Sequence, residues 1–244
     1  MAGPRLASLS VGFSLSLCVG GLNLNFSAVI FDVDGLILDS EELYSRTYIE
    51  TLEDYGKTIV REEYTACVGI PVEDNAAHAV QHFRLNTSPE AYCEAWMDRF
   101  EAAISVPGGI DLMPGIIELL EHVEDTYELA LASSTKQPRM RTTVVNGLMQ
   151  HLDYHSPEAL FSVILSGSDV VHTKPAPDIY LLASEKLGVE PAACLVFEDS
   201  QAGVIAAKSA GMTVWAVPNF FTSHQDHSQA DRILDGLGEA IEFL

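Results

Sequence analysis

Positive charge is what this chain has least of. Its 244 residues include 13 lysines and arginines against 35 aspartates and glutamates, which gives a formal net charge of −22 at pH 7. Such a surface repels phosphate backbones and anionic lipids, so we expect neither nucleic acid nor a membrane as a partner. An anionic substrate would need a binding site with local positive charge, supplied by a metal ion and a few basic side chains.

Cysteine is also scarce, and its four positions form no CxxC pair and no framework spacing. This pattern argues against a disulfide scaffold and favours reduced thiols in a cytoplasmic protein. Residues 1–25 form a mildly apolar run, rich in serine and glycine, that superficially resembles a signal peptide but has no clear cleavage site. The run is too short and polar for a membrane span. We interpret it as an extension, disordered or weakly signal-like, rather than as an export signal.

Residues 39–112 have a helical pattern and no convincing strand. Apolar side chains recur at helical spacing, and Pro–Gly segments interrupt the pattern towards the end of this range. The predicted helices are Glu41–Tyr55, Val72–Phe83 and Pro89–Ile104. We therefore predict an all-helical insertion, or cap, over residues 39–112.

The rest of the chain alternates short apolar runs with amphipathic helices. The predicted strands are Ala28–Phe31, Leu129–Ala132, Phe161–Leu165, Cys194–Phe197 and Thr213–Val217. The predicted helices are Ile116–His122, Met140–Met149, Pro177–Leu187 and Gln201–Ala210. This alternation predicts an α/β fold, a Rossmann-like doubly wound parallel sheet formed by residues 26–38 and 113–244 with helices on both faces.

Polar and charged side chains follow four of the predicted strands, where ligands bind in sheets of this kind. Two acids, two apart and hence on the same side of the chain, end the first strand. Clustered carboxylates are a hard oxygen donor set suited to Mg²⁺, while hydroxyls and a lysine suit an anion. Together they predict a site for phosphoryl transfer. The candidates are Asp32, Asp34, Ser133, Ser134, Lys174, Glu198 and Asp199.

Four motifs resemble those of the haloacid dehalogenase superfamily of hydrolases, in the branch with a helical cap inserted after the first motif. They are Asp32-Val33-Asp34-Gly35, Ser133, Lys174 and Glu198-Asp199, and their order and spacing agree over about residues 27–220. The resemblance implies that Asp32 is the nucleophile that forms an aspartyl-phosphate and that Asp34 is the general acid and base. Ser133 and Lys174 would bind the transferring phosphoryl group.

The same resemblance implies a Mg²⁺ ion held by Asp32, the backbone carbonyl of Asp34, and Asp199. Glu198 would either contact this ion directly or support the residues that do. Asp34 also separates subclasses, because the true dehalogenases of the superfamily carry no acid at this position. It therefore favours phosphate chemistry.

Three local segments are similar to phosphatases of sugar phosphates, glycerol phosphate or pseudouridine 5′-phosphate: residues 34–41, 112–115 and 195–199. The segment Val68-Gly69-Ile70-Pro71 resembles the cap loop that faces the site, so Gly69 is a substrate-binding candidate. We expect a Mg²⁺-dependent phosphatase acting on sugar, polyol or nucleoside monophosphates, as a monomer or weak dimer.

Two alternatives stay open. One is a phosphosugar mutase of the β-phosphoglucomutase kind, although those enzymes place a histidine where this chain has Tyr44. The other is a non-catalytic binding protein with the same fold. A degenerate member would be expected to lack at least one of the motif residues, and the set here is complete.

Overall fold

A computed structural model of the protein describes residues 26–244, so the interpretation of residues 1–25 lies outside the described residues. The described chain forms one sheet of six parallel strands in the order β3-β2-β1-β4-β5-β6. The strands are β1 Ala28–Phe31, β2 Glu128–Ala132, β3 Val163–Leu165, β4 Cys194–Glu198, β5 Thr213–Ala216 and β6 Arg232–Ile233. The predicted α/β Rossmann-like sheet is confirmed.

Both faces of the sheet are buried, as the uniformly apolar strands require. Val29 and Phe31 point into one apolar cluster, while Ala28 and Ile30 point into a second cluster on the opposite face. The helices that cover these faces are α5 Ile116–Val123, α6 Arg139–Asn146, α7 Asp178–Leu187 and α8 Gln201–Ser209. Because β1 and β4 lie at the centre of the sheet, the groups that follow them are shielded from both sides.

Some element bounds differ from the predictions. The helix predicted over Met140–Met149 ends at Asn146, because Gly147 leaves the helical conformation and a 3-10 turn, Leu148–Gln150, follows. The strand predicted to begin at Phe161 begins at Val163. Strand β6 was not predicted, since two residues carry no periodicity.

Four helices lie between β1 and α5: α1 Ser40–Glu53, α2 Arg61–Tyr64, α3 Val72–Phe83 and α4 Pro89–Ile104. We call them the cap helices, and the limits of the cap at residues 39 and 112 stay a prediction. They share an apolar cluster that includes Tyr48 and Trp96, and it also takes in Phe221 from the loop after β5. None of the helices in residues 26–244 is long and apolar enough to cross a membrane.

Candidate active site

The ends of β1, β2 and β4 and the cap helices meet around a cavity of about 280 Å³. Most of the residues singled out in the sequence lie in its wall, together with the loop of the cap that contains Gly69. The predicted site residues that line it are Asp32, Asp34, Gly69, Ser134, Lys174 and Asp199. The structure thus brings together side chains up to 167 positions apart, from Asp32 to Asp199.

The turn after β1 holds the first acids against the fourth strand. Gly35 has φ = +84°, and a Cβ atom there would lie 2.4 Å from Asp199 Oδ2. Only glycine tolerates both the conformation and the contact. Glycine at the end of Asp-Val-Asp-Gly therefore allows the chain to turn and leaves space for the Asp199 carboxylate.

Lys174 is buried among acceptors. Its Nζ donates to Asp32 Oδ1, to Glu198 Oε1 at 2.6 Å and to the Ala132 carbonyl at 2.9 Å. All three ammonium protons are therefore used. Burial opposes the charge, but the carboxylates of Asp32 and Glu198 outweigh it and raise the pKa of Lys174 well above its ordinary value. Lys174 is a fixed positive charge beside the candidate nucleophile.

Glu198 is completely buried and accepts five hydrogen bonds. Oε1 accepts from Lys174 and from the Tyr180 hydroxyl, each at 2.6 Å. Oε2 accepts from the backbone N–H groups of Asp199 and Ser200 and from the Ser200 hydroxyl. With both oxygens engaged, this carboxylate serves to hold Lys174 and the start of α8.

Asp32, Glu198 and Asp199 offer carboxylate oxygens that lie within 4.8 Å of one another. Burial, together with the neighbouring acids, raises the pKa of Asp32 to about 8 even though Lys174 opposes the shift. Burial and the charges of Asp32 and Glu198 likewise raise the pKa of Asp199. Three buried acids thus stand against the single positive charge of Lys174, and a cation that binds their hard oxygen donors, as Mg²⁺ does, would favour their ionised forms. The residues present therefore fit a magnesium site.

Ser133 is buried and its hydroxyl is committed within the protein. Its Oγ donates to Asp34 Oδ2 at 2.8 Å and accepts from the Thr135 N–H at 2.9 Å. This hydrogen bond orients the Asp34 side chain in the wall of the cavity. Ser134, the next residue, is exposed and lines the cavity itself.

Glu41 was not among the candidates from the sequence, yet it lies in the same wall. It lines both the cavity described above and a second, more open one beneath the cap loop. Burial, with lesser contributions from Asp34 and Asp39, raises the pKa of Glu41 to about 7. The sequence offers two adjacent acids, Glu41 and Glu42, in the first turn of a helix, where acids commonly stabilise the helix dipole. Only the fold shows that Glu41 faces the cavity.

Tyr44, at the position that separates mutases from phosphatases, is packed as part of the cap. Its ring stacks on Phe100 with centroids 4.0 Å apart, and its hydroxyl accepts from Arg139 Nη1 at 3.4 Å. Burial raises the pKa of Tyr44 above its ordinary value. Such a phenol does not exchange protons near neutral pH as an imidazole does.

A sequence model described as "Haloacid dehalogenase-like hydrolase" matches residues 29–217. A probable pseudouridine-5′-phosphatase of Drosophila melanogaster is 37% identical over 218 residues, covering 86% of this chain and 89% of that protein. A phosphorylated carbohydrates phosphatase of Thermotoga maritima is 34% identical over 189 residues, covering 76% of this chain and 82% of that protein. The crystal structure of CbbY from Rhodobacter sphaeroides in complex with phosphate is 32% identical, with a TM-score of 0.70, 90% of this chain covered and 100% of that one.

Proposed function

The chain belongs to the haloacid dehalogenase-like hydrolase family and is a phosphoric monoester hydrolase, and we propose that it is a Mg²⁺-dependent phosphatase of small metabolites that works through an aspartyl-phosphate. The observation that carries the proposal is the buried contact between Lys174 and Asp32, beside the oxygens of Asp199. A lysine held at one carboxylate oxygen favours the ionised form of Asp32 and fixes the direction of the carboxylate, and a bound cation would favour that form further. That is what a carboxylate nucleophile requires.

In the first step, the free carboxylate oxygen of Asp32 attacks phosphorus while the bond to the leaving oxygen breaks. Asp34, oriented by Ser133, gives its proton to that leaving oxygen. In the second step the ionised Asp34 takes a proton from water, whose oxygen attacks the phosphorus of the acyl-phosphate. The bond to Asp32 breaks, inorganic phosphate leaves, and both carboxyl groups return to their starting state.

Asp32, Asp199 and the backbone carbonyl of Asp34 would hold the Mg²⁺ ion, which supplies positive charge to the phosphoryl oxygens when bound. Glu198 would not contact the ion, since five hydrogen bonds already occupy its oxygens. Lys174 holds Asp32 in place, and Ser134 at the cavity wall would donate to the phosphoryl group.

Three features support a small, hydroxyl-rich substrate. The cavity is of metabolite size, about 280 Å³, and it is closed on one side by Val68 and Gly69 of the cap. Glu41 lines the same cavity and would accept a hydrogen bond from a substrate hydroxyl. Two of the relatives named above are a probable pseudouridine-5′-phosphatase and a phosphorylated carbohydrates phosphatase. We propose sugar, polyol or nucleoside monophosphates as the substrate class.

The cytoplasmic location of the protein and its state as a monomer or weak dimer stay predictions.

The mutase alternative lacks a proton-transfer group at the position of Tyr44, whose hydroxyl is held by Arg139. The test is phosphate release from a panel of phosphorylated sugars, polyols and nucleosides, with Mg²⁺ or with EDTA. We expect release that depends on Mg²⁺. Interconversion of sugar phosphates without release, dependent on a bisphosphate activator, would favour the mutase.

A further inference from the structure

Strand β5 also ends at the edge of the sheet that carries the site, and Asn219 follows it. Its side-chain Nδ2 donates to Asp199 Oδ2 and to the Gly35 carbonyl, each at 2.9 Å. Its Oδ1 accepts from the N–H groups of Phe221 at 2.8 Å and Thr222 at 3.1 Å. Only this orientation of the amide gives every partner a match, because the flipped one would set oxygen against oxygen and N–H against N–H.

Asn219 restrains one side of the Asp199 carboxylate. Within residues 26–244 it is the one hydrogen-bond donor to that side chain. The turn at Gly35 closes the space beside the same oxygen, Oδ2. A neutral donor fixes the direction of a carboxylate without cancelling its charge. Asp199 is thus held in one orientation by a group that adds no positive charge to compete with a cation.

The other end of the Asn219 amide is anchored through the loop to the cap. Phe221, whose N–H it accepts, is 1% exposed and packs edge-on against Tyr64 of α2, with centroids 6.1 Å apart. The guanidinium of Arg61 lies 3.9 Å from the ring centroid of Phe220. Packing on both sides therefore holds the loop, and with it the amide that points at Asp199.

We infer that Asn219 is a positioning residue that orients Asp199 for the divalent cation. The inference rests on the proposed magnesium site. Groups that orient metal ligands through a hydrogen bond typically contribute roughly 10- to 100-fold to metal affinity. Asn219 does not line the cavity, and it would raise the affinity for the cation by this factor through its hydrogen bond to Asp199.

The test is calorimetric titration of Mg²⁺ into the full chain, comparing wild type, Asn219→Ala and Asn146→Ala. The control, Asn146→Ala, removes another asparagine that bonds across to the cap, through Nδ2 to the Ile104 carbonyl at 2.8 Å, but that contacts none of the site residues. We expect the Kd for Mg²⁺ to rise roughly 10- to 100-fold in Asn219→Ala and to stay within twofold of wild type in the control.

A second readout separates positioning from general damage. In Asn219→Ala, the Mg²⁺ concentration that gives half-maximal phosphate release should rise by the same factor as Kd, while kcat at saturating Mg²⁺ falls less than tenfold. Should this variant not fold, Asn219→Ser retains a hydroxyl that is too short to span from the loop to Asp199, and the same shift is expected. A wild-type Kd in the folded variant overturns the role of Asn219 alone. No Mg²⁺ binding by wild type overturns the proposed function itself.

Discussion

Lys174 Nζ lies 2.6 Å from Glu198 Oε1, and neither side chain is more than 5% exposed. This pair places the only positive charge among the described residues that contacts Asp32, at the centre of the sheet edge. A buried charge whose partner is removed is strongly destabilising, because the remaining charge has neither water nor a counter-ion.

Replacing Lys174 with methionine should therefore lower stability as well as activity. We expect a loss of about 3–5 kcal/mol in the free energy of unfolding, measured by denaturant titration without metal. The control is Lys208→Met, which removes a lysine from a partly exposed pair with Asp231 and should cost no more than about 1 kcal/mol. Equal losses in the two variants would contradict the description of Lys174 as a buried counter-charge.

Gly203, in the first turn of α8, packs directly on Glu198. A Cβ atom at this position would lie 1.8 Å from the carboxylate, so Gly203→Ala must displace Glu198 or the helix. We expect a loss of about 1–3 kcal/mol in the free energy of unfolding and weaker phosphatase activity, since Lys174 loses its support.

The control for Gly203→Ala is Gly236→Ala, where no atom lies within 4 Å of an added Cβ. Its stability should stay within about 0.5 kcal/mol of wild type. If Gly203→Ala had the same stability and activity as this control, the close contact between α8 and Glu198 would be contradicted.

Arg61 connects the cap to the core. Its guanidinium pairs with Glu42 and lies over Phe220 at 3.9 Å and Phe221 at 4.8 Å from the ring centroids. Arg61→Ala should loosen the contact between the cap helices and the loop after β5, and so raise KM by about two- to tenfold, because each of these contacts is worth about 0.5–1 kcal/mol. Steady-state kinetics measure the change, with Arg141→Ala, which breaks the exposed pair with Glu158, as the control. A KM shift of the same size in both variants would contradict the claim that the contact of Arg61 with Phe220 and Phe221 holds the cap on the core.

Glu41 gives the metal-free protein a predictable dependence on pH. Burial raises its pKa from 4.5 to about 7, so between these values the folded state holds a proton that the unfolded state has released. Stability from this group is therefore present at low pH and lost as pH rises from about 4.5 to 7. The raised pKa values of Asp32 and Asp199 act in the same direction.

Glu41→Gln should flatten the part of this dependence that belongs to Glu41. Thermal unfolding in EDTA from pH 4.5 to 8 should show wild type losing stability faster than the variant with rising pH. The exposed Glu50 on the same helix provides the control substitution, Glu50→Gln, which should leave the wild-type slope unchanged. Parallel curves for wild type and Glu41→Gln would contradict the raised pKa of Glu41.

The sheet and the catalytic candidates could be predicted because their signals are local. Each central strand is a continuous apolar run, and a chemically distinctive residue follows it, as Asp32 follows Phe31 and Asp199 follows Glu198. Parallel strands bring such ends to one edge whatever lies between them. The motif order could therefore be read without coordinates.

The roles of Asn219 and Glu41 could not be predicted in the same way. Asn219 follows Pro218 and stands just before a turn, where asparagine is ordinary, and its partners Gly35 and Asp199 are distant in sequence. For Glu198 the resemblance left open whether it contacts the ion or supports the residues that do. Its oxygens accept from Lys174, Tyr180 and backbone N–H groups, which favours the supporting role. Which acid of a pair points at a cation depends on packing rather than on spacing.

The most direct test of the central claim is phosphate release by wild type and Asp32→Asn, assayed with Mg²⁺ on the substrate that the panel ranks first. Asp153→Asn, an exposed aspartate outside the site, is the matched control. We expect full activity in the control and a loss of at least about 10³-fold in Asp32→Asn, because an amide cannot form the acyl-phosphate. Release by a folded Asp32→Asn protein at a rate near wild type would contradict the account.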